Sequence, residues 1–337
     1  MTVGWGLVGA SDIADSRMIP AISSNPNSRV VAIASSSIDR ATELGRRHGI
    51  DHVYGSVDDL LADDSIDVVY ISSTNEHHLS QSLAAAAAGK HVLCEKPLAM
   101  TVSDAEAILA ACQRAGVVLG TNHHLRNASS HRKIRELVSA GAIGTPLAAR
   151  LFHAVSLPGR LQGWRINRPD SGGGVIFDIT VHDADTLRFD LDDDPVEVLA
   201  MTASQGMAVD GLADSVMGVI RFTSGLMAQF HDAFTIGHTH TGIEIHGSDG
   251  SIRATDAMTQ SPEAVVVLQR GESLEEIDVG PLEDLYSRSV MRFNEAVLGN
   301  GQPAATGTDG IWSLAVAVAA QASGRSGATV PVRVPAV

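Results

Sequence analysis

The sequence has little of what disulfide-rich, membrane-spanning and nucleic-acid-binding proteins contain in quantity. Its 337 residues include two cysteines, Cys94 and Cys112, which excludes a disulfide framework and favours a reducing cytoplasm. The apolar runs are far shorter than a membrane span, and we expect no secretory signal before the apolar run that begins at Val3. The formal net charge of −15 opposes binding to nucleic acids and to anionic membranes.

Aromatic residues are also scarce, at 4%, whereas hydrophobic residues of all kinds make up 44%. A chain of this composition can bury a sizeable core, and Ala, Val, Leu and Ile must fill most of it. The length of 337 residues exceeds that of one ordinary domain and predicts two.

Strand and helix patterns alternate over the first third of the chain. Apolar strand patterns are separated by helical patterns, with Ser37 and Ser103 as the expected N-caps of two of the helices. Repeated strand–helix–strand order predicts a doubly wound parallel sheet of the Rossmann type over residues 1–122.

Strand patterns dominate after residue 123 and follow one another through short turns. This order predicts an α+β domain over 123–337, built on a large, mostly antiparallel open sheet. A helical patch is expected at 176–187, and a helix at about 310–324 is expected to pack back on the first domain. The fold class is therefore α/β, and the exposed sheet face leaves both a monomer and a homo-oligomer open.

A glycine-containing loop lies between the first strand and the first helix. Its spacing is G-x-G-x-x-G/A with serine in the second position, which suits a turn that brings backbone close to a pyrophosphate at a helix N-terminus. Such a turn alone is common in α/β proteins, but its place at the first turn of the alternation favours a dinucleotide site. The predicted cofactor-binding residues here are Gly9, Ala10, Ser11, Asp12, Ile13 and Ala14.

The end of the second strand indicates which dinucleotide binds. NAD-preferring sites usually carry Asp or Glu there to hold the ribose 2′-hydroxyl, whereas this strand ends in Ser35, Ser36 and Ser37 with Arg40 close behind. Three hydroxyls and a guanidinium suit a 2′-phosphate, so NADP(H) is the predicted cofactor. Alternatively the serines only cap the following helix, and both roles can hold together.

Three segments carry a resemblance to a known family. Glu95-Lys96-Pro97 resembles its Glu-Lys-Pro signature, 172–182 resembles its glycine run followed by Asp-x-x-x-His, and 73–78 is similar to its loop after the fourth strand, with Thr74 where the family often has Pro. The family is named after glucose-fructose oxidoreductase, inositol dehydrogenase and a rhizopine-catabolism protein. The resemblance covers nearly the whole chain.

The resemblance implies an oxidoreductase that acts on a small sugar-like molecule. Segments 120–127, 161–165 and 178–185 are similar to NADPH-dependent keto-sugar reductases within the family. The family resemblance also implies cofactor-binding residues outside the glycine loop, namely Ser73, Thr74, Asn75, His78, Glu95, Lys96, Asn122, Trp164 and Arg165.

Reduction of a ketone by NADPH requires a proton for the oxygen that becomes an alkoxide. Lys96 follows a parallel strand, at the edge where such sheets bind ligands, and could polarise the carbonyl. A cis bond before Pro97 is plausible. Lys-Pro alone more often marks a surface lysine at a strand end, and Glu95 together with the family context favours the catalytic role.

Asp178 and His182 are four residues apart and would share one face of a helix. We expect His182 to be the general acid and Asp178 to hold substrate hydroxyls, although Lys96 remains an alternative proton donor. The glycines before Asp178 would let backbone pass close to a ligand. Asp183 and Asp185 are expected at the helix surface or between domains.

Several other side chains are candidates for the substrate site. Trp164 and Arg165 lie in a predicted polar loop, where an aromatic face and a guanidinium suit a polyol. His124, Arg126 and His153 are weaker candidates for the same cleft, since each could serve packing instead. The 14 histidines form no zinc-type motif, and no catalytic metal is expected.

Other functions remain open at this point. An inositol or aldose dehydrogenase that works in the oxidative direction keeps the chemistry and changes the substrate. A non-catalytic dinucleotide sensor would not need Lys96, Asp178 and His182. A metal-dependent hydrolase would use the histidine-rich segments and lose activity to a chelator.

Overall fold

The computed structural model describes residues 2–334, which form two compact units. Of the described residues, the first unit contains 2–124 and 286–311, and the second contains 125–285 and 312–334. The sequence predicted one boundary at 122/123 with the helix near the C-terminus on the first domain. In the structure, 286–311 groups with the first unit and 312–334 with the second.

A six-stranded parallel sheet forms the first unit, in the order β3-β2-β1-β4-β5-β6. Its strands are β1 (Val3–Val8), β2 (Ser28–Ala34), β3 (His52–Tyr54), β4 (Val68–Ile71), β5 (His91–Cys94) and β6 (Leu119–Thr121). Between them run a π-helical turn Ala14–Met18 that continues into α1 (Ile19–Ser24), then α2 (Ile38–His48), α3 (Val57–Leu61), α4 (His78–Ala87) and α5 (Val102–Ala115). This confirms the doubly wound parallel sheet that the alternation predicts.

Short polar side chains begin the helices of this unit. Ser37 caps α2 by accepting a hydrogen bond from the backbone N–H of Arg40 at 3.4 Å, which confirms the predicted cap. The prediction of Ser103 as the cap of α5 is wrong. Thr101 has the extended backbone of an N-cap, and its hydroxyl accepts from the N–H of Asp104 at 3.1 Å.

The second unit contains a nine-stranded sheet in the order β14-β13-β12-β11-β7-β10-β9-β8-β15. Its strands are β7 (Pro146–Ala154), β8 (Pro195–Ala203), β9 (Ser215–Phe222), β10 (Met227–Ala233), β11 (Gly242–Gly247), β12 (Ser251–Thr255), β13 (Val265–Arg270), β14 (Ser273–Glu276) and β15 (Val330–Pro331). All neighbours are antiparallel except β7 and β10, which are parallel. The mostly antiparallel sheet is therefore confirmed.

The helices of the second unit include the segments that carry the candidate site. They are α6 (Ser129–Ser139), α7 (Gly159–Asn167), a π-helical turn Ile176–Thr180 and α8 (Val181–Leu191). Two further helices, α9 (Leu285–Val297) and α10 (Gly307–Ser326), follow the sheet in sequence. No helix within residues 2–334 has the length and apolar character that a bilayer crossing requires.

One face of the nine-stranded sheet is apolar and exposed. Met201 is 79% exposed on β8, and Leu199, Met217 and Met227 on β8 to β10 are each between 45% and 52% exposed. The registered pairs Leu199–Val219 and Met201–Met217 place these side chains on the same face. Phe230 and Ile220, which lie on the opposite face, are fully buried.

Candidate active site

The loop after β1 has a backbone that only glycine fits at its first position. Gly9 has φ +106°, and a Cβ there would lie 2.9 Å from both the carbonyl carbon of Ser72 and the amide nitrogen of Ser73. Its N–H donates to the carbonyl of Ala34 at 2.8 Å, which ties the loop to the end of β2. The glycine thus allows two loops at the C-terminal edge of the sheet to lie in contact.

Ser11, in the second motif position, stabilises the helix start. Its hydroxyl accepts from the backbone N–H of Ala14 at 3.1 Å and donates to the Ser72 hydroxyl at 2.8 Å. Ser11 therefore caps the helix that follows the glycine loop. Its side chain is also small enough to let a phosphate approach the backbone.

Two of the three serines after β2 accept hydrogen bonds from nearby backbone N–H groups. Ser35 accepts from the N–H of Ser37 at 3.2 Å, and Ser37 caps α2. Ser36 and Arg40 are exposed. No carboxylate follows Ala34 before Asp39, so this edge of the sheet remains compatible with a 2′-phosphate.

The groups at this edge fit a dinucleotide. Gly9 lets the loop after β1 pack directly on the Ser72–Ser73 backbone, which brings the helix start and the loop after β4 together at this edge. Asn75, in the loop after β4, is buried, and its Nδ2 has no hydrogen-bond partner among residues 2–334. A buried amide donor beside a glycine loop and a helix N-terminus suits a polar, phosphorylated ligand.

A half-buried carboxyl group, that of Glu95, anchors the segment that carries Lys96. Glu95 Oε1 accepts from the Tyr70 hydroxyl and from Asn122 Nδ2, both at 2.6 Å, and Asn122 in turn accepts from Ser289 at 3.0 Å. Burial raises the pKa of Glu95, although these hydrogen bonds oppose the rise. The sequence singled out Glu95 and Asn122 but missed Tyr70, whose partner is 25 residues away.

The Lys96–Pro97 peptide bond is cis, as the sequence suggested. His78 is fully buried behind it, with Nδ1 2.8 Å from the Pro97 carbonyl oxygen and Nε2 3.2 Å from the Ser73 carbonyl oxygen. Both ring nitrogens of His78 therefore face backbone. It links the Lys96 turn to the loop after β4 rather than offering a nitrogen to a ligand.

Two of the weaker candidates have structural partners of their own. The His124 ring stacks on Tyr286 with centroids 5.1 Å apart and is 8% exposed. Arg126 forms a two-pronged ion pair with Asp185, at 2.8 and 2.7 Å, and both residues are buried. The packing role that the sequence left open is thus present for both.

Trp164 and Arg165 lie on a helix, which corrects the predicted polar loop. They belong to α7, which is kinked at Gly163, where φ is +27°. Arg165 lies over the Trp164 ring at 4.7 Å and donates from Nε to Asp178 Oδ2 at 3.1 Å. The guanidinium therefore orients the carboxylate that the sequence assigned to substrate hydroxyls.

The glycines before Asp178 approach backbone rather than open space. A Cβ on Gly173 would lie 2.9 Å from the Arg168 carbonyl oxygen and 3.0 Å from that of Arg165. The N–H of Gly174 donates to the Arg165 carbonyl at 2.7 Å. The sequence led us to expect that the glycine backbone would lie close to a ligand. In the structure it lies close to the carbonyl groups at the end of α7.

His182 lies in the first turn of α8 and is 7% exposed. Its ring centroid is 6.4 Å from that of His153, which projects from β7. His153 Nδ1 lies 2.8 Å from Asp183 Oδ1. The structure thus brings together two predicted site histidines that are 29 residues apart in sequence.

Asp183 and Asp185 are buried, which corrects their expected place at the helix surface or between domains. They are 0% and 2% exposed, and α8 is buried on nearly every side. Asp183 contacts His153, and Asp185 pairs with Arg126. Sequence analysis also missed Asp232, although Ala228-x-Phe230-x-Asp232 alternates with the buried face of β10 and could have revealed it.

The side chains that commonly bind metal ions are dispersed in the part of the chain that the structure describes. Among residues 2–334, no group of three or more His, Cys, Asp or Glu side chains is arranged to hold a metal ion.

Two family profiles match the chain. Residues 3–123 match the oxidoreductase family profile with an NAD-binding Rossmann fold, and 131–253 match the GFO/IDH/MocA C-terminal domain. A 1,5-anhydro-D-fructose reductase from Ensifer adhaerens is 52% identical over 315 residues, which cover 94% of each chain.

Solved structures share the complete architecture. An aldose-aldose oxidoreductase from Caulobacter crescentus, complexed with glycerol, has a TM-score of 0.90 at 26% identity over 98% of this chain and 100% of that one. A variant of a 3-ketoreductase from Actinomadura kijaniata, in complex with TDP-benzene and NADP, has a TM-score of 0.82 at 25% identity over 96% of this chain and 98% of that one.

Proposed function

Because the chain belongs to the GFO/IDH/MocA family of oxidoreductases, we propose that it reduces a keto-sugar with NADPH and that 1,5-anhydro-D-fructose is the substrate. The expected product is 1,5-anhydro-D-mannitol. The observation that carries this proposal is the 52% identity to the Ensifer adhaerens reductase over 94% of both chains.

The cofactor preference rests on the edge of the first sheet. Bound NADPH would supply the hydride. Gly9, Ser11 and the helix start after them would hold the diphosphate, and Ser35 to Ser37 with Arg40 would receive the 2′-phosphate without a nearby carboxylate to repel it. The NADP complex of the 3-ketoreductase is consistent with this preference.

The chain's own residues would manage the substrate oxygen. The Lys96 ammonium would polarise the carbonyl, and His182 would deliver the proton as that oxygen gains negative charge. Asp178, held by Arg165, would bind substrate hydroxyls with a fixed carboxylate plane. In this assignment Lys96 and His182 divide the work of stabilising the oxyanion and protonating it.

A spectrophotometric assay tests the proposal. NADPH oxidation is followed with 1,5-anhydro-D-fructose and a panel of other keto-sugars, and NADP⁺ and NAD⁺ reduction is followed with inositols and aldoses. We expect the highest kcat/KM for NADPH with 1,5-anhydro-D-fructose, unchanged by excess chelator. Faster oxidation of myo-inositol or an aldose would replace the proposal with a dehydrogenase, and dinucleotide binding without any turnover would support a sensor.

A further inference from the structure

Two carboxyl groups face each other in the interior of the second unit. Asp183 on α8 and Asp232 on β10 are both 0% exposed. Asp232 is the registered neighbour of His153 on the adjoining strand, and His153 contacts Asp183, so the two carboxyl groups lie close together. One oxygen of each has another partner, because Asp183 Oδ1 lies 2.8 Å from His153 Nδ1 and Asp232 Oδ2 accepts from the Thr180 hydroxyl at 2.6 Å.

The remaining oxygens are the informative ones. Asp183 Oδ2 and Asp232 Oδ1 are buried and receive no donor from any other group among residues 2–334. Two ionised carboxylates in a dry interior repel each other and leave both oxygens unsatisfied. A proton held between them removes the repulsion and supplies the missing hydrogen bond.

No lysine or arginine supplies a fixed positive charge beside the pair among residues 2–334. The groups that face the pair are His153 from β7, Thr180 from the π-helical turn, and the two aspartates themselves. No lysine or arginine pairs with either carboxyl within the described range 2–334, whereas the neighbouring Asp185 has Arg126. The contrast on one helix indicates that Asp183 and Asp232 are adapted to hold a proton.

We propose that Asp183 and Asp232 share a proton at neutral pH and that the second unit loses stability as this proton is removed at higher pH. The inference is independent of the proposed function, because the pair is defined by its burial and its neighbours.

The direction of the pH dependence follows from charge. Burial raises the pKa of Asp183 to about 7, and burial together with the negative charge of Asp183 raises that of Asp232 well above its usual range. As pH rises through neutrality the pair becomes more negative in a dry interior. The folded state is therefore destabilised relative to the unfolded chain, in which both carboxyl groups ionise freely.

Infrared difference spectroscopy tests the shared proton without substrate. The wild-type protein should show the C=O stretch of a protonated carboxyl at pH 6, and this band should lose intensity as pH rises through neutrality. Asp232→Asn should abolish it, because the amide then donates to Asp183 and no like charge remains. Asp67→Asn is the control, since Asp67 accepts the Gly4 N–H at 2.8 Å in the first unit, and the band should persist there. Absence of the band in wild type, or its survival in Asp232→Asn, would overturn the shared proton.

Urea unfolding tests the effect of the pair on stability. A carboxyl group whose pKa is raised by folding stabilises the fold fully below its unfolded pKa, about 3.9, and the contribution is lost as pH rises through the folded pKa. The difference in free energy of unfolding between the wild type and the double variant Asp183→Asn/Asp232→Asn should therefore fall as pH rises from 5 to 8. A difference that stays constant or grows would contradict the proposal.

Discussion

The two units hold their candidate catalytic groups by different means. In the first unit, backbone hydrogen bonds hold most of the candidate site loops in place. Gly9 and His78 connect loops through carbonyls and N–H groups, and serine hydroxyls cap the helices. In the second unit, buried ionisable side chains surround α8, including the pairs Arg126–Asp185 and His131–Asp190.

This difference explains why one region was easier to predict. The conformation of a loop depends on residues that are adjacent in sequence. A glycine or a serine at one position therefore predicts a turn or a helix cap directly. An ionisable network joins residues far apart in sequence, such as His131 and Asp190, which are 59 positions apart. Substitutions in the two units should accordingly have different consequences, and the following experiments test that contrast.

The largest effect is expected from Asp190→Ala in the second unit. His131 and Asp190 are both fully buried, 2.8 Å apart, and removal of the carboxylate leaves the imidazole without its counter-charge. Loss of one partner of a buried ion pair costs about 3–5 kcal/mol of unfolding free energy. Urea unfolding measures it, with Glu197→Ala as the control because the exposed Glu197–Arg221 pair contributes about 1 kcal/mol or less.

The same pair should make stability depend on pH. Burial opposes the charged imidazole of His131, but Asp190 and the Ala257 carbonyl outweigh burial and raise its pKa. A raised histidine pKa stabilises the fold fully below about pH 6.5, the unfolded value, and the contribution disappears as pH rises through the folded pKa. The stability difference between wild type and His131→Ala should therefore shrink from pH 6 to pH 9, and an increase would contradict the charged pair.

Next in size are the proposed catalytic groups, one in each unit. Lys96→Ala and His182→Ala should each lower kcat with 1,5-anhydro-D-fructose by about 10²-fold or more, as is typical when a group that moves or stabilises a proton is lost. Lys133→Ala is a matched control, because Lys133 pairs with Glu136 on the surface of α6. Near-wild-type turnover of both site variants would remove the proposed mechanism.

A smaller effect, confined to cofactor binding, is expected from Gly9→Ala. The new Cβ would meet backbone atoms of Ser72 and Ser73 at 2.9 Å and should displace the loop, weakening NADPH binding about tenfold, or 1.4 kcal/mol. Gly49→Ala separates strain from close approach. Gly49 has φ +67° with nothing within 4 Å of a Cβ, so that variant should lose some stability and keep its affinity for NADPH in calorimetric titration.

Ser35→Asp should have the smallest effect on the fold while changing cofactor preference. An aspartate can still accept the Ser37 N–H that Ser35 accepts at 3.2 Å, but its charge should repel a 2′-phosphate. We expect the ratio of kcat/KM for NADPH to that for NADH to fall by about tenfold. Ser35→Asn is the uncharged control, and an unchanged ratio in Ser35→Asp would show that this position does not discriminate.

The sequence alone determined the two sheets and indicated the cis Lys96–Pro97 bond, because periodicity, capping and glycine placement act over a few residues. It did not reveal that Trp164 and Arg165 lie on a helix or that Gly173 packs against carbonyls, since both depend on how α7 meets the glycine run. Only the tertiary structure decided which carboxylates have a cation beside them. Asp185 meets Arg126, whereas Asp183 meets Asp232, because folding and not chain distance sets which charges share a dry interior.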